Sequence, residues 1–356
     1  MTVSCNEQDS PAANDGREAR NTACLELYQV IVRVGWIFKT ETIIMPAVLD
    51  AVVDSGLLRG LLPVLNRGGQ SLPPLFVSGS LARLPQKKWA LIRTSLAMAA
   101  CFGVLAVAWG PLEARRPDLL ALLFLVLYAV FSAAIGLNQV VLASLQGKLI
   151  SPGHRGRAMV VSVSVGSVLA IVAAVLLLSR WLGTPEGFPK IFGVTGLFFA
   201  LAALVPFFLD EPPSDPPSDP RDEPESRRGA PAMPVGGAAA AQGFLGRWVQ
   251  SARQGIGTWR RTLGGDRALL RLAVVAACFS AVLMLFPHYQ AFARDRLGSR
   301  IGSLLTWVVV QNAATGVVSL VAGPLSDRRG TRIVLVWLVA LSSATPLVVT
   351  LLSFLP

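Results

Sequence analysis

Two opposite charges lie in stretches that otherwise read as apolar enough for a membrane. Glu41 falls within residues 34–53 and Arg67 within residues 57–80, each among long aliphatic runs. Glu41 is about twelve residues, roughly 18 Å, from the outer end of its helix, and Arg67 about ten residues, roughly 15 Å, from the outer end of the next. Matched depth and opposite charge predict a Glu41–Arg67 pair near the bilayer midplane. A carboxylate at that depth can take up and release a proton, and a guanidinium can hold an anion. Ionisable groups inside a bilayer are costly, which makes them functional candidates. The same two residues also fit a purely structural ion pair, and the sequence leaves both readings open. Asn138 and Gln139 form an adjacent polar couple in a further apolar run, and Gln311 and Asn312 form another. Neighbouring helical residues point about 100° apart, so only one of each couple need face a cavity. Hydrogen bonding between helices is the other reading. These six residues are the candidate substrate or coupling-ion site. Lys39, about a turn from the inner end of its run, reads as a snorkelling lysine. His288, beside Pro287 and Tyr289, reads as an interfacial anchor that could titrate. Ser162, Ser164, Gly166 and Ser167 read as a surface for close helix packing.

The elements that must position these residues follow from composition. Of 356 residues, 53% are hydrophobic and 15% charged, against about 25% charged in soluble domains. Runs near the roughly 20 residues that cross a bilayer recur at 89–110, 119–145, 158–180, 190–209, 268–290, 301–322 and 333–354. With the weaker runs 34–53 and 57–80 they predict about nine crossings. The net charge of +11 sits mostly in short links between apolar runs, which fits membrane orientation better than nucleic-acid binding. With the N-terminus in the cytoplasm, inner segments hold about 20 Lys and Arg against about eight outside, or about twelve against eight without the central linker. Three arginines in 294–300 fall on the wrong side. The polar first 24 residues do not form a cleavable signal peptide. Cys5, Cys24, Cys101 and Cys278 have no metal-like spacing. No His/Glu/Asp set has the spacing of a metal site, and no Gly-rich phosphate loop joins a strand to a helix. The expectation is therefore no metal, no cofactor, no nucleic acid and no enzymatic activity.

The links carry a more specific signal. Gly323-Pro324-Leu325-Ser326-Asp327-Arg328-Arg329-Gly330-Thr331-Arg332 is a charged, Gly-bounded link between the eighth and ninth runs. Glycine permits a tight turn. Asp327 is read as beginning or preceding a helix, where its charge meets the positive end of the dipole. The arginines can pair with Asp327 or with lipid phosphates. A degenerate copy, Gly79-Ser80-Leu81-Ala82-Arg83-Leu84-Pro85-Gln86-Lys87-Lys88, lies between the second and third runs. This pattern resembles the loop signature of the major facilitator superfamily, a family of secondary transporters. Ser151-Pro152-Gly153-His154-Arg155-Gly156-Arg157-Ala158 is similar to that family's link between helices 4 and 5. The resemblance spans residues 30–356. The first copy departs from the pattern, with Arg83 in place of the acid and Gln86 in place of the second glycine.

The resemblance implies an all-α membrane protein, an MFS-like helical bundle with six plus three spans. It divides into a polar cytoplasmic tail (1–29), an N-terminal six-helix bundle (30–209), a Pro-rich linker with a basic interfacial helix (210–267) and an incomplete C-terminal bundle of three helices (268–356). Residues 210–242 hold eight prolines, too polar and too broken to fold. Residues 244–262 carry Phe244, Leu245, Trp248 and Trp259 with arginines and no acid, as a membrane-surface helix would. The implied function is a permease moving a small molecule by alternating access, with a proton or sodium ion as possible coupling partner. Its cytoplasmic latch would comprise Gly79, Arg83, Lys87, Lys88, Gly323, Asp327, Arg328, Gly330 and Arg332; the other reading of these residues is a simple topology anchor. Three spans after the linker, where the family has six, leave three alternatives: a chain cut short, a completing chain or oligomer, and a stable nine-span form. The rival reading is a degenerate permease serving as a scaffold. The fourth run lacks the membrane arginine of many proton-coupled family members, and the fifth lacks the Gly-Pro pair typical of the family's drug-antiporter branch.

Overall fold

In the computed structural model, residues 11–41, 43–53, 55–82, 84–182, 184, 186–213, 264–283 and 304–354 are described. They form helices, with no strand among the described residues. The N-terminal part comprises α1 (Pro11–Ile37), α2 (Ile44–Val52), α3 (Gly56–Ala82), α4 (Lys88–Arg115), α5 (Pro117–Leu149), α6 (Pro152–Trp181) and α7 (Gly187–Phe208). The C-terminal part comprises α8 (Arg267–Leu283), α9 (Leu304–Arg329) and α10 (Thr331–Ser353). Six of these helices (α4, α5, α6, α7, α9 and α10) are long and apolar enough to cross a membrane.

The first helix begins well before the first apolar run. Residues 11–29, expected as a tail, are helical, and Asn21, Leu25, Tyr28, Val32 and Gly35 are buried. Their alternating spacing of four and three residues is the seam of a packed helix. The run expected as one span, 34–53, is the end of α1, a break at Phe38–Ile43, and α2. Past the break, the Thr40 carbonyl accepts from the amides of Ile43, Ile44 and Met45.

α1 packs on α6 and α7, α3 on α5, and α4 on both α5 and α7. At the centre, Phe102 of α4 meets Phe131 of α5 edge-on at 4.7 Å, and Trp109 lies 5.3 Å from Phe192 of α7. Such aromatic pairs add specificity to the large area they bury. α3 and α5 approach closely. Pro74 has no amide to offer the Gln70 carbonyl one turn earlier, and Gly136 of α5 lies against that carbonyl, where a side chain would collide. α9 packs on α6, where the open side of Gly316 meets Ser167, and also on α10. Along α10 no residue of the spanning stretch is buried, and Val336, Leu341, Leu347 and Leu351 are exposed. An apolar surface of that extent requires an apolar solvent.

The helices alternate in direction, so one end of the bundle collects the starts of α1, α4 and α6 and the finishes of α3, α5 and α7. We call this the basic end, because Lys87, Lys88, Arg93, Lys148, Arg155 and Arg157 gather there.

Candidate functional site

The break between α1 and α2 positions the midheight polar groups. It places Lys39, Thr40 and Glu41 beside the middle of α3 and α5. The Glu41 carboxylate accepts a hydrogen bond from Asn66 Nδ2 of α3, and Asn66 Oδ1 accepts from Gln70 Nε2 at 2.5 Å. Arg67 follows Asn66 directly, and its charge acts on Lys39, Glu41 and Tyr128. Glu41 and Arg67 therefore share one electrostatic neighbourhood. No Glu41–Arg67 ion pair within 4 Å exists among the described residues, and Asn66 holds the carboxylate instead. Asn66 is nearly fully buried, whereas Glu41 and Arg67 are half-buried.

Lys39 does not snorkel. It is 7% exposed, with Nζ 5.4 Å from the Trp36 ring and 5.2 Å from the Phe131 ring. The cause is the early start of α1, which carries Lys39 past the interface to the level of mid-α5. Facing ring quadrupoles offset part of the cost of burying an ammonium. Tyr128, one turn before Phe131, is buried with its hydroxyl unbonded.

Asn138 belongs to a different cluster. Its amide donates to Tyr28 Oη (2.7 Å), Thr94 Oγ1 (2.9 Å) and Ser95 Oγ (3.2 Å). Tyr28 Oη in turn reaches Asn138 Oδ1 at 3.0 Å and Ser95 Oγ at 2.8 Å. Tyr28, Ser95 and Asn138 are buried, so this knot ties α1, α4 and α5 together, as interhelical bonding would. Gln139 points away and is exposed. Gln311 is also exposed, and Asn312 donates to the Val308 carbonyl of its own helix at 2.9 Å. Sequence reasoning missed Arg33, whose Nε donates to Ser167 Oγ of α6 at 3.1 Å. It sits on α1 six residues, roughly 9 Å, before Lys39. The α1 seam starting at Asn21 was the signal that could have placed it in the bilayer.

At the basic end an unpredicted acid dominates. Glu211, buried just after α7, accepts from the backbone amides of Lys87 (2.9 Å) and Lys88 (2.8 Å) and from Lys148 Nζ (3.1 Å). It thus caps the start of α4, which has no cap of its own. Lys88 Nζ donates to the Leu209 carbonyl at 3.1 Å, and Lys87 Nζ to Ser144 at 2.5 Å. Asp210 pairs with Arg20 at 3.0 Å, and its backbone exchanges two 3.0 Å hydrogen bonds with Asn21. Residues 210–211, expected within an unfolded linker, therefore fasten three helices.

A second borrowed cap lies at α6. Glu18 accepts from the Ser151 amide at 3.0 Å and lies 3.1 Å from His154 Nδ1. Bonds from Ser151, then from His154, hold its carboxyl down to about 2. Asp15, Glu26, His154 and Arg157 line the cavity of about 430 Å³ beside it, far from the midheight groups.

Of the second loop signature, the link shrinks to Gly330, with φ +85°, between α9 and α10. Gly323, Asp327 and Arg328 are in α9. Asp327 thus lies in the last turn of α9, four residues before α10 begins at Thr331. The helix continues to Arg329 because nothing before Gly330 forces a turn. Arg332 is exposed in the first turn of α10, and Gly79 lies in α3. Arg83, the interfacial helix of 244–262, His288 and the arginines of 294–300 lie outside the described residues.

The family model described as Major Facilitator Superfamily matches residues 67–356. No curated protein and no solved structure matches the chain. A helical bundle with six spanning-length apolar helices, carrying polar groups at midheight and matched over most of its length by this model, belongs to the Major Facilitator Superfamily, a superfamily of membrane transporters.

Proposed function

We propose that this transporter moves a small molecule by alternating access, with α1–α7 rocking as one body against the C-terminal helices. The observation that carries the reading is the break in the first span, which sets Lys39 and Glu41 beside Asn66 and Arg67 at midheight. Interrupted helices with polar groups near the midplane are how transporters of this general kind hold cargo. Glu41 is the group able to exchange a proton, because its carboxylate is half-exposed and bonded to a neutral amide. Arg67 is the adjacent group available to cargo.

The basic end faces the cytoplasm in this reading, since Lys and Arg concentrate there. The N-terminus lies on that cytoplasmic side of a multi-pass protein of the cell (inner) membrane. Glu211 and Asp210 keep the N-terminal bundle rigid while Lys87, Lys88, Asp327, Arg328 and Arg332 meet across the cytoplasmic gap. Gln139, Gln311 and Asn312 lie outside the Glu41 cluster and belong to the walls of the path.

The test is an uptake screen in proteoliposomes, with and without a proton gradient. Glu41→Gln should abolish the response to the gradient, and Arg67→Gln should cut uptake at least about tenfold. Wild-type uptake by both variants, at equal protein levels, removes these residues from the mechanism. The absence of any flux across the screen favours a non-transporting role.

A further inference from the structure

We infer that the midheight site takes an anion, a small carboxylate or phosphate-type solute, held between Lys39 and Arg67. This rests on the transporter reading above and names the class of its cargo.

A charge count carries it. At midheight the described part of the N-terminal bundle holds three cations, Arg33, Lys39 and Arg67, and one acid, Glu41. Among the described residues no carboxylate lies within 4 Å of any of the three cations. Arg33 donates to the neutral Ser167. Lys39 lies nearest the faces of Trp36 and Phe131, with Glu41 acting on it from beyond ion-pair distance. The Glu41 carboxylate is taken by Asn66. The next acid along the chain in this bundle, Asp50, is used up by Arg59 at 2.6 Å. A low-dielectric interior does not hold two surplus cations without counter-charge. A bound anion supplies it. Among the described residues the buried Tyr128 hydroxyl has no hydrogen-bond partner, and it lies in the same neighbourhood. Among the described residues Lys39 Nζ makes no hydrogen bond to a carbonyl or carboxylate, so the rings at 5.4 and 5.2 Å leave it able to donate to a ligand. A lipid phosphate would have to leave its headgroup layer by roughly 15 Å to reach this depth, so the occupant is a soluble anion.

The experiment uses the full chain in neutral-detergent micelles. Melting is followed at constant ionic strength with acetate, succinate, benzoate, inorganic phosphate and sulfate, and with ethanolamine, tetramethylammonium and glucose. At least one anion should raise the melting temperature by several degrees, and the cations and glucose should not. Lys39→Met and Arg67→Gln should weaken that response at least about tenfold in apparent affinity. Lys39→Arg should largely retain it, and the surface variant Lys190→Gln should leave it intact. If Lys39→Met does not fold, Arg67→Gln and Lys39→Arg still decide the matter. A response to no anion, an equal response in Arg67→Gln, or stabilisation by cations or glucose alone overturns the inference. So does a response abolished by added phosphatidylglycerol, which would assign the site to headgroups. Anion binding without flux in proteoliposomes sinks the transporter reading and leaves the anion site standing. Flux of a cation or sugar with no anion effect does the reverse.

Discussion

At the scale of single residues, borrowed carboxylates do more than any predicted site residue to order the basic end. Glu211 makes two bonds to amides at an uncapped helix start and one to an ammonium, all from a buried position. Removing one partner of such a set leaves buried charge and amides unpaired. Glu211→Ala should therefore cost about 3 kcal/mol, read as a drop in melting temperature of the purified chain. A loss indistinguishable from that of an exposed substitution such as Glu186→Ala would show that the contacts contribute little. Glu18 gives a pH-dependent counterpart. Its folded value of about 2 lies below the ordinary 4.5, so its contribution is complete above pH 4.5 and is lost as pH falls toward 2. Asp15, Glu26, His154 and Arg157 share its surroundings. The melting gap between wild type and Glu18→Gln should shrink as pH falls from 5 to 3. A gap that stays constant to pH 3 would mean that the Ser151 and His154 bonds do not bias its protonation. Neither acid was legible as a cap in the sequence, because each stands in a different segment from the helix start it serves, and a cap is recognised locally only within its own segment.

At the scale of elements, hydropathy located six runs closely, those of α4, α5, α6, α7, α9 and α10, since an uninterrupted apolar stretch admits little but a spanning helix. It failed at α1, where polar residues such as Glu26, Gln29 and Arg33 are interleaved with the buried seam. The helical period of that seam was present in the sequence, and only average hydropathy obscured it. The end of α9 failed for another reason. A charged, Gly-bounded stretch reads as a loop, yet Ser, Asp and Arg tolerate a final helical turn, and the chain breaks only at the glycine with positive φ. The Glu41–Arg67 depth match found the right neighbourhood and the wrong partner, because sequence spacing gives height along a helix but not which way each side chain turns. α3 itself depends on close approach. Gly136→Ala would drive a methyl group into the Gln70 carbonyl, an overpacking of about 1–3 kcal/mol. The shift in α3 would move Asn66 and Arg67 with it, so uptake should fall more than stability accounts for. Unchanged uptake in Gly136→Ala would show that the α3–α5 contact does not set the site's geometry.

At the scale of the whole molecule, orientation ties the parts together. Glu211, Asp210, Glu18 and the ends of α3 and α5 all meet at one end of the bundle, so a single assignment of sides fixes every link. Lys and Arg concentrate at this end, and they hold topology by resisting translocation. If that end is cytoplasmic, the borrowed caps form an inner clamp, and under the alternating-access proposal the cluster at Lys39 would open to one face or the other. In a background with Cys5, Cys24, Cys101 and Cys278 replaced by alanine, single cysteines at Pro85 and Thr184 report the two ends. A membrane-impermeant maleimide added to intact cells should label Thr184→Cys and spare Pro85→Cys until the membrane is opened. Labelling of Pro85→Cys in intact cells would invert the molecule. The clamp would then face outward, and the carboxylate of Glu41 would have to exchange its proton with the opposite compartment at each stage of the cycle.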